Sequence, residues 1–389
     1  MDIIATTGDL KTFCEQLLAE DGHEDGFITI DTEFIREKTY WPILCLIQIA
    51  GSQRTGIIDP LDQAIDLDPL FTLMQDERVL KVFHASRQDL EIFYKLTHQL
   101  PKPVFDTQVA AMVCGYGESV SYESLVNDLA QARLDKSSRF SDWSKRPLTK
   151  KQLEYALGDV IHLRVVYKKL KERLLKQDRL SWIQEEHAVL LEPETYIMRP
   201  EEAWRRIRLA KTTGEYLIRL KEMAAFRESE AQKKNVARGR LIKDEVLSNL
   251  AVYNPTDRVS FDGIWRKIQP GLTKDLSHGL FEVIMRAQKI PENDWPQLPG
   301  RPKALSKQIL QKVEFLKFLL KIKSKDHHVA EKLLATSSDI EKLALDESKA
   351  DVMALHGWRF EVFGKDALSL LGGEMALALK GNQLQLIPL

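Results

Sequence analysis

Four short apolar segments bounded by glycine, proline or charged residues lie within the first 85 positions of the chain. Their length and β-branched content predict four strands, at Phe27–Glu33, Ile43–Ala50, Thr55–Ile58 and Leu80–His84. Short links join the first three, which favours an antiparallel meander. Leu80 follows a helical stretch and should enter the sheet by a crossover.

Helical spacing dominates after this strand region. Apolar residues recur three and four positions apart in four segments, Gln88–Leu96, Thr107–Val113, Tyr122–Ala130 and Thr149–Leu175. Because strands and helices are mixed here, we expect residues 1–195 to form an α/β domain with a mixed sheet flanked by helices.

The remainder of the chain has a wholly helical pattern, which predicts two all-α domains. The first covers residues 200–295, with its clearest helices at Glu201–Arg227 and Leu241–Tyr253. The second covers residues 303–389, with helical segments at Ser306–Lys321, Val329–Leu334, Ser337–Ala344 and from Trp358 onward. Prolines break helices and so predict a linker between the two, carried by Pro291, Pro296, Pro299, Gly300 and Pro302.

Length and composition agree with several globular domains. The chain has 389 residues, of which 44% are hydrophobic and 29% charged, and this length suits two or three cores. No apolar run is long enough to cross a bilayer, so we expect a cytoplasmic protein without membrane contact. The cysteines Cys14, Cys45 and Cys114 lie too far apart to indicate a disulfide framework or a zinc cluster. A monomer is the default expectation.

The net charge of −1 conceals a segregation of charge. The stretch from Trp204 to Lys243 contains twelve Lys and Arg residues against four Glu, whereas the first 33 residues contain nine acids and Lys11. An acidic region that can hold cations and a basic region that can attract phosphates fit an enzyme that acts on a polyanion. Solvated helix faces would give the same counts.

Carboxylates occupy positions where they can converge. Asp31 and Glu33 are two apart on a predicted strand, so both face one side, and hard cations such as Mg²⁺ prefer such oxygen ligands. Tyr155 and Asp159 are four apart on a predicted helix and share one face. Asp89 follows a strand and could add a carboxylate at the same sheet edge. Each feature alone is also typical of a solvated face, a packed Tyr or a helix-start acid.

Four segments in this order resemble the DEDD exonuclease superfamily with the tyrosine-bearing signature, and within it ribonuclease D. They read FITIDTEF, KVFHASRQDLEIF, VFDTQVAA and DWSKRPLTKKQLEYALGDV, and they span roughly residues 25 to 170. Farther along, AWRRIRLA and RGRLIKDEVL resemble the HRDC-type helical domain, and the segment after Pro302 resembles a diverged second copy. The resemblance implies a ribonuclease-H-like catalytic domain followed by two HRDC-type helical domains.

The resemblance also implies a reaction, the 3′→5′ hydrolysis of RNA to nucleoside 5′-monophosphates by two divalent metal ions. Asp31 should bridge both ions, Glu33 and Asp159 should hold the first, and Asp89 should hold the second. Tyr155 should orient the attacking water, since a phenol with a pKa near about 10 is a poor base at neutral pH. Mg²⁺, Mn²⁺ and Zn²⁺ all suit carboxylate ligands. The substrate is expected to be RNA with a free 3′ end, with precursors of transfer RNA as the implied physiological target.

Several neighbouring residues have competing interpretations. His84 is expected to be structural, and Asp106 in VFDTQ is expected to be a helix N-cap and not a metal ligand. Cationic and aromatic residues before the Tyr155 helix could grip a terminal nucleotide or pack the loop, namely Arg139, Trp143, Lys145 and Arg146. Arg146 is the preferred phosphate contact.

Three other functions compete with an exoribonuclease. A DNA exonuclease of the proofreading or repair type could use the same carboxylates, because they do not sense the 2′-hydroxyl. A catalytically weak RNA-binding scaffold would be expected to lack a ligand, yet all four carboxylates and Tyr155 are present. A helicase accessory module is disfavoured because the chain has no G-x-x-x-x-G-K-[ST] phosphate loop.

Overall fold

The computed structural model describes six stretches of the chain, residues 3–135, 137–139, 141–268, 274–297, 305–381 and 383–389. The chain divides into two compact units. Unit 1 comprises Met1–Glu33, Leu44–Thr195 and Ala304–Leu389, and unit 2 comprises Phe34–Ile43 and Tyr196–Lys303. The last segment of the chain therefore belongs to the same unit as the predicted catalytic domain.

A six-stranded sheet forms the centre of the N-terminal part of unit 1. Its strands are β1 (Ile3–Ile4), β2 (Phe27–Ile35), β3 (Ile43–Ala50), β4 (Thr55–Ile58), β5 (Leu80–Phe83) and β6 (Val104–Asp106). The strand order is β1-β4-β3-β2-β5-β6, with β3 antiparallel to β4 and β5 parallel to β2. This agrees with the expected meander and crossover. The short strands β1 and β6 were not predicted, because two or three residues carry no readable period.

Helices flank this sheet, and those at the four predicted segments lie close to their predicted positions, whereas the first and the last of the flanking helices were not predicted. They are α1 (Thr7–Asp21), α2 (Asp68–Gln75), α3 (Arg87–Thr97), α4 (Thr107–Val113), α5 (Tyr122–Leu125), α6 (Lys150–Lys176) and α7 (Leu180–Leu190). Helix α5 continues as a π-helical turn at Val126–Ala130. The long helix α6 begins at a capping box in which the Thr149 and Gln152 side chains bond each other's backbone N–H.

Unit 2 is helical and has its own core. Its helices are α8 (Gly214–Lys234), α9 (Arg238–Leu241), α10 (Asp244–Tyr253), α11 (Arg258–Ile268) and α12 (Lys274–Ala287). The predicted continuous helix Glu201–Arg227 is wrong. A 3₁₀ helix at Pro200–Arg206 ends where Ile207 becomes extended, and α8 begins only at Gly214, after the extended N-cap residue Thr213.

The C-terminal segment of unit 1 is mostly helical. Its helices are α13 (Lys307–His327), α14 (Glu331–Leu334), α15 (Ser337–Asp346), α16 (Gly357–Arg359) and α17 (Lys365–Leu371), and it ends in the hairpin β7 (Met375–Lys380) and β8 (Gln383–Pro388). The purely helical expectation missed this hairpin. Of the proposed linker residues, Pro299, Gly300 and Pro302 lie outside the described residues.

One hydrophobic core joins the C-terminal segment to the α/β part of unit 1. Leu163 and Leu170 of α6 belong to the same buried cluster as Leu316 and Leu319 of α13. The Ala330 N–H also donates to the carbonyl oxygen of Met112 at 3.0 Å. Among the helices that the structure describes, none is long and apolar enough to span a bilayer.

Candidate active site

Three carboxylates converge where β2 meets α6. Asp31 and Glu33 leave the same face of β2 because side chains alternate along a strand. Asp159 projects from α6, and one oxygen of each side chain lies within 4.8 Å of the other two. Thr29 Oγ1 donates a hydrogen bond to the Val160 carbonyl at 2.8 Å, which holds α6 against this face of the strand.

Burial disfavours the charged forms of all three groups, and repulsion by neighbouring carboxylates adds to this effect at Asp31 and Glu33. Burial, followed by the charge of Asp159, raises the pKa of Asp31. Burial, followed by the charges of Asp31, Asp159 and Asp89, raises the pKa of Glu33 to about 9. Burial also raises the pKa of Asp159 to about 7. A cation between the groups would offset this repulsion, so the donor set fits hard divalent ions.

Asp89 approaches the same strand from α3. Its Oδ1 accepts a hydrogen bond from Thr32 Oγ1 at 2.5 Å, and its side chain is buried. Burial, followed by the charge of Asp31, raises the pKa of Asp89. Asp89 is not a member of the group of three, although its charge contributes to the raised pKa of Glu33. Its assignment as a metal ligand stays a prediction.

Tyr155 lies one helical turn before Asp159, on the same side of α6. Burial, followed by the negative charge of Asp159, raises the pKa of Tyr155, so the phenol stays protonated at neutral pH. The Trp143 ring packs beside it with centroids 6.0 Å apart, and Trp143 is buried. The tyrosine is therefore a fixed hydrogen-bond donor beside the carboxylates.

Asp106 and His84 have the structural roles expected from the sequence. Asp106 is the N-cap of α4, and its side chain accepts from the Gln108 N–H at 2.7 Å. His84 Nδ1 lies 3.0 Å from Thr107 Oγ1. Burial lowers the pKa of His84, which favours a neutral ring.

Arg146 makes several contacts within the chain. Its guanidinium pairs with both oxygens of Asp59, one of them at 2.7 Å, and donates to the carbonyls of Trp143 at 2.8 Å and Cys45 at 2.7 Å. These bonds tie the loop before α6 to the sheet. Contact between Arg146 and a substrate phosphate stays a prediction.

Tyr122 is a neighbour of the site that was not predicted from the sequence. The Tyr122 hydroxyl donates to the Gly158 carbonyl at 3.1 Å, next to Asp159. Burial, followed by the charges of Asp159 and Asp31, raises the pKa of Tyr122. In the sequence Tyr122 only begins a helical pattern, and its distance from Asp159 along the chain gives no signal that they meet.

Comparisons with known families match both parts of the chain. A family described as 3′-5′ exonuclease matches residues 1–175, and the HRDC domain family matches residues 217–284. Ribonuclease D of Granulibacter bethesdensis is 45% identical over 386 residues, covering 99% of this chain and 96% of that protein. Ribonuclease D of Acidiphilium cryptum is 43% identical over 388 residues, covering 100% and 97%.

A solved structure extends this similarity to the whole fold. The crystal structure of Escherichia coli RNase D, described as an exoribonuclease involved in structured RNA processing, superposes with a TM-score of 0.79. Its sequence is 28% identical, and the match covers 96% of this chain and 98% of that one. The exonuclease segment, the HRDC-type segment and the C-terminal segment all fall within this match.

Proposed function

The chain belongs to the ribonuclease D family of 3′→5′ exoribonucleases, and we propose that it hydrolyses RNA from the 3′ end with two divalent metal ions. The products would be nucleoside 5′-monophosphates. The observation that carries this proposal is the group formed by Asp31, Glu33 and Asp159, whose pKa values are raised by burial and, for Asp31 and Glu33, also by neighbouring carboxylates. Mg²⁺ or Mn²⁺ are the proposed ions, and Zn²⁺ is a third candidate.

Four carboxylates would hold the ions. Asp31 interacts electrostatically with two of the other carboxylates, since its charge raises the pKa values of both Glu33 and Asp89. We therefore assign Asp31 to both ions, Glu33 and Asp159 to the first, and Asp89 to the second. Bound ions of this kind lower the pKa of a water to near neutral and stabilise charge on the leaving oxygen.

The protein side chains would orient the reactants. Tyr155 stays protonated, so its hydroxyl would position the attacking water and would not remove its proton. The buried Trp143 ring packs beside the phenol and holds it near the carboxylates. Water would add to the phosphorus and the bond to the 3′ oxygen would break, which leaves the phosphate on the 5′ oxygen of the released nucleotide.

The substrate proposal rests on the relatives and on charge. Exposed Arg206, Arg208 and Lys211 lie in the basic stretch before α8 and could attract phosphates without reading bases. We propose that the chain trims the 3′ ends of transfer RNA precursors, acting as a cytoplasmic monomer. The domain limits 1–195, 200–295 and 303–389, with a diverged HRDC-type domain last, are part of this proposal.

A gel assay on matched substrates tests the proposal. A 5′-labelled RNA with a 3′ tail and its DNA counterpart would be incubated with Mg²⁺ or Mn²⁺ and the wild type, Asp31→Ala or Asp159→Ala. We expect a ladder that shortens from the 3′ end, forms faster on RNA and disappears in both variants. Glu154→Gln is the control, because Glu154 is an exposed carboxylate next to Tyr155 on α6.

Two outcomes would contradict the proposal. Faster shortening of DNA than of RNA would favour the proofreading-type exonuclease. Intact RNA that nevertheless binds tightly would favour a binding scaffold without hydrolytic activity.

A further inference from the structure

Asp106 holds the turn that leads into the helix carrying Asp89. Its two carboxylate oxygens accept from the Ala85 N–H at 3.0 Å, the Ser86 N–H at 2.7 Å and the Ser86 hydroxyl at 2.8 Å, besides the N-cap bond in α4. Ala85 has a φ of 57°, a left-handed conformation that non-glycine residues rarely adopt. The Asp106 side chain thus stabilises a strained turn three residues before Asp89 reaches the site.

The backbone of Asp106 is in turn held by α7. The Asp106 N–H donates to Nε2 of His187 at 2.9 Å, and the His187 ring packs against Phe105 with centroids 5.2 Å apart. Burial lowers the pKa of His187, so its ring is neutral and Nε2 can accept this bond. His187 is buried, and the mechanism proposed above does not use it.

The C-terminal segment fixes α7 from the other side. Arg359 pairs with Glu185 at 2.8 Å and with Glu186, both on α7, while its side chain is only 6% exposed. The Trp358 and Trp182 rings stack with centroids 4.1 Å apart and an angle of 6° between their planes. We call this set of contacts, made by Arg359 and Trp358 with α7, the α7 clamp.

We propose that His187 is a positioning residue for Asp89, acting through Asp106, and that the α7 clamp makes the C-terminal segment a structural part of the nuclease site. The route runs from Arg359 to α7, from His187 to the Asp106 backbone, and from the Asp106 carboxylate to the turn at Ala85–Ser86. This inference rests on the proposed metal site, because its effect is on how well Asp89 is placed to bind an ion.

The expected effects decrease with the number of contacts that separate each residue from Asp89. Side chains that orient metal ligands typically change metal affinity or activity by about 10- to 100-fold when they are replaced. Asp106→Asn should therefore weaken Mn²⁺ binding by about 10-fold or more, since an amide cannot accept all the N–H bonds that the carboxylate accepts. His187→Leu should weaken it less than Asp106→Asn, and Arg359→Gln less again. The loss should fall on kcat, while KM for RNA stays unchanged.

The full-length protein would be titrated with Mn²⁺ by isothermal titration calorimetry, followed by steady-state hydrolysis of a short RNA. His187→Gln is the conservative variant, and it should recover part of the affinity lost in His187→Leu because its amide oxygen can accept the Asp106 N–H. Two control variants lie in the same regions of the fold as the test variants. Lys323→Met breaks an ion pair with Asp366 inside the C-terminal segment, and Ile183→Val trims a buried side chain of α7. Both should bind Mn²⁺ as the wild type does.

Other outcomes of the Mn²⁺ titrations would count against either the positioning role or the proposed metal site. If His187→Leu and Arg359→Gln fold and bind Mn²⁺ as tightly as the wild type, the positioning role is refuted while the proposed function stands. If His187→Leu does not fold, His187→Gln and Arg359→Gln decide the matter by the same criterion. Equal weakening in the two control variants would also overturn the inference, since general destabilisation would explain the loss. If the wild type binds no Mn²⁺, the proposed metal site itself fails.

Discussion

Two helical regions follow the exonuclease segment, and they differ in the core that they join. Helices α8–α12 close a core within unit 2, around Tyr216, Leu250 and Phe261. Helices α13–α17 instead share the core of α6 and α7 in unit 1. Both regions show the same apolar spacing in the sequence. The difference teaches that this spacing identifies a helix but does not identify the element on which it packs.

The largest expected effect separates hydrolysis from RNA attraction. Asp31→Asn should reduce RNA hydrolysis on the order of a thousandfold or more, because the proposed ions contribute several kcal/mol to the transition state. Its RNA affinity in EDTA should stay at the wild-type level, since the basic stretch belongs to unit 2. Gel kinetics and fluorescence anisotropy would measure the two quantities. If a folded Asp31→Asn variant lost RNA affinity as well as hydrolysis, the assignment of RNA attraction to the basic stretch of unit 2 would be wrong.

A pair of core substitutions tests the comparison of the two cores. Leu316→Ala in α13 and Leu250→Ala in α10 each open a cavity at a fully buried leucine, and each should cost about 2–5 kcal/mol of local stability. Only Leu316→Ala should shorten the thermal half-life of nuclease activity on a short RNA, because only this leucine lies in the core shared with α6. Similar half-lives for the two variants would show that the units unfold together.

The raised pKa values of the site carboxylates predict how the stability of unit 1 depends on pH. The pKa values of Glu33, about 9, and Asp159, about 7, lie above unfolded values of about 4. Their contribution to the stability of the metal-free protein is therefore complete below about pH 4 and is lost as pH rises through 7 and 9. The melting temperature without metal should fall between pH 6 and pH 9.

Added Mn²⁺ should reverse this trend, since it holds the carboxylates in their charged form. The rise in melting temperature on adding Mn²⁺ should be larger at pH 8 than at pH 6, by about 2 °C or less for each kcal/mol of difference in stabilisation. Glu33→Gln should flatten the metal-free curve. A rise that is the same at both pH values, measured by scanning calorimetry, would argue against ions at these carboxylates.

The smallest effect concerns the basic stretch of unit 2. The double variant Arg208→Gln, Lys211→Gln should reduce the slope of log affinity against log salt by about 0.7 for each lost phosphate contact with single-stranded RNA. Anisotropy titrations at several salt concentrations in EDTA would measure it. Lys380→Gln, an exposed change on β7, is the matched control. An unchanged slope in the double variant would show that Arg208 and Lys211 do not contact RNA phosphates.

Much of the α/β fold could be predicted because its long elements have clear periods. Strands β3 and β4 and helix α4 begin and end where the spacing indicated. The C-terminal hairpin was missed although MALALK and QLQLIP alternate, since the helical pattern before it was carried forward. The charge count for Trp204–Lys243 also overestimated the positive charge that is exposed there. Arg219 and Arg227 in that stretch are buried, and they donate to the carbonyls of Ala251 and Ile242.

The candidate site was predictable only in part. The strand period brings Asp31 and Glu33 together, and the helix period does the same for Tyr155 and Asp159, because these are local relations. The meeting of the two pairs depends on how α6 packs on β2, which local spacing does not determine. For the same reason the sequence did not indicate that His187 lies near Asp106, because its bond to the Asp106 N–H joins positions 81 residues apart.

The most direct test of the account is a crystal structure of the wild type soaked in Mn²⁺, with anomalous diffraction used to locate the ions. We expect two Mn²⁺ peaks that share Asp31 as a ligand, one beside Glu33 and Asp159 and the other beside Asp89. Soaked crystals of a folded Asp159→Asn variant should show the first peak weakened. Mn²⁺ bound elsewhere, or absent from these carboxylates at saturating concentration, would contradict the central claim that they hold the catalytic ions.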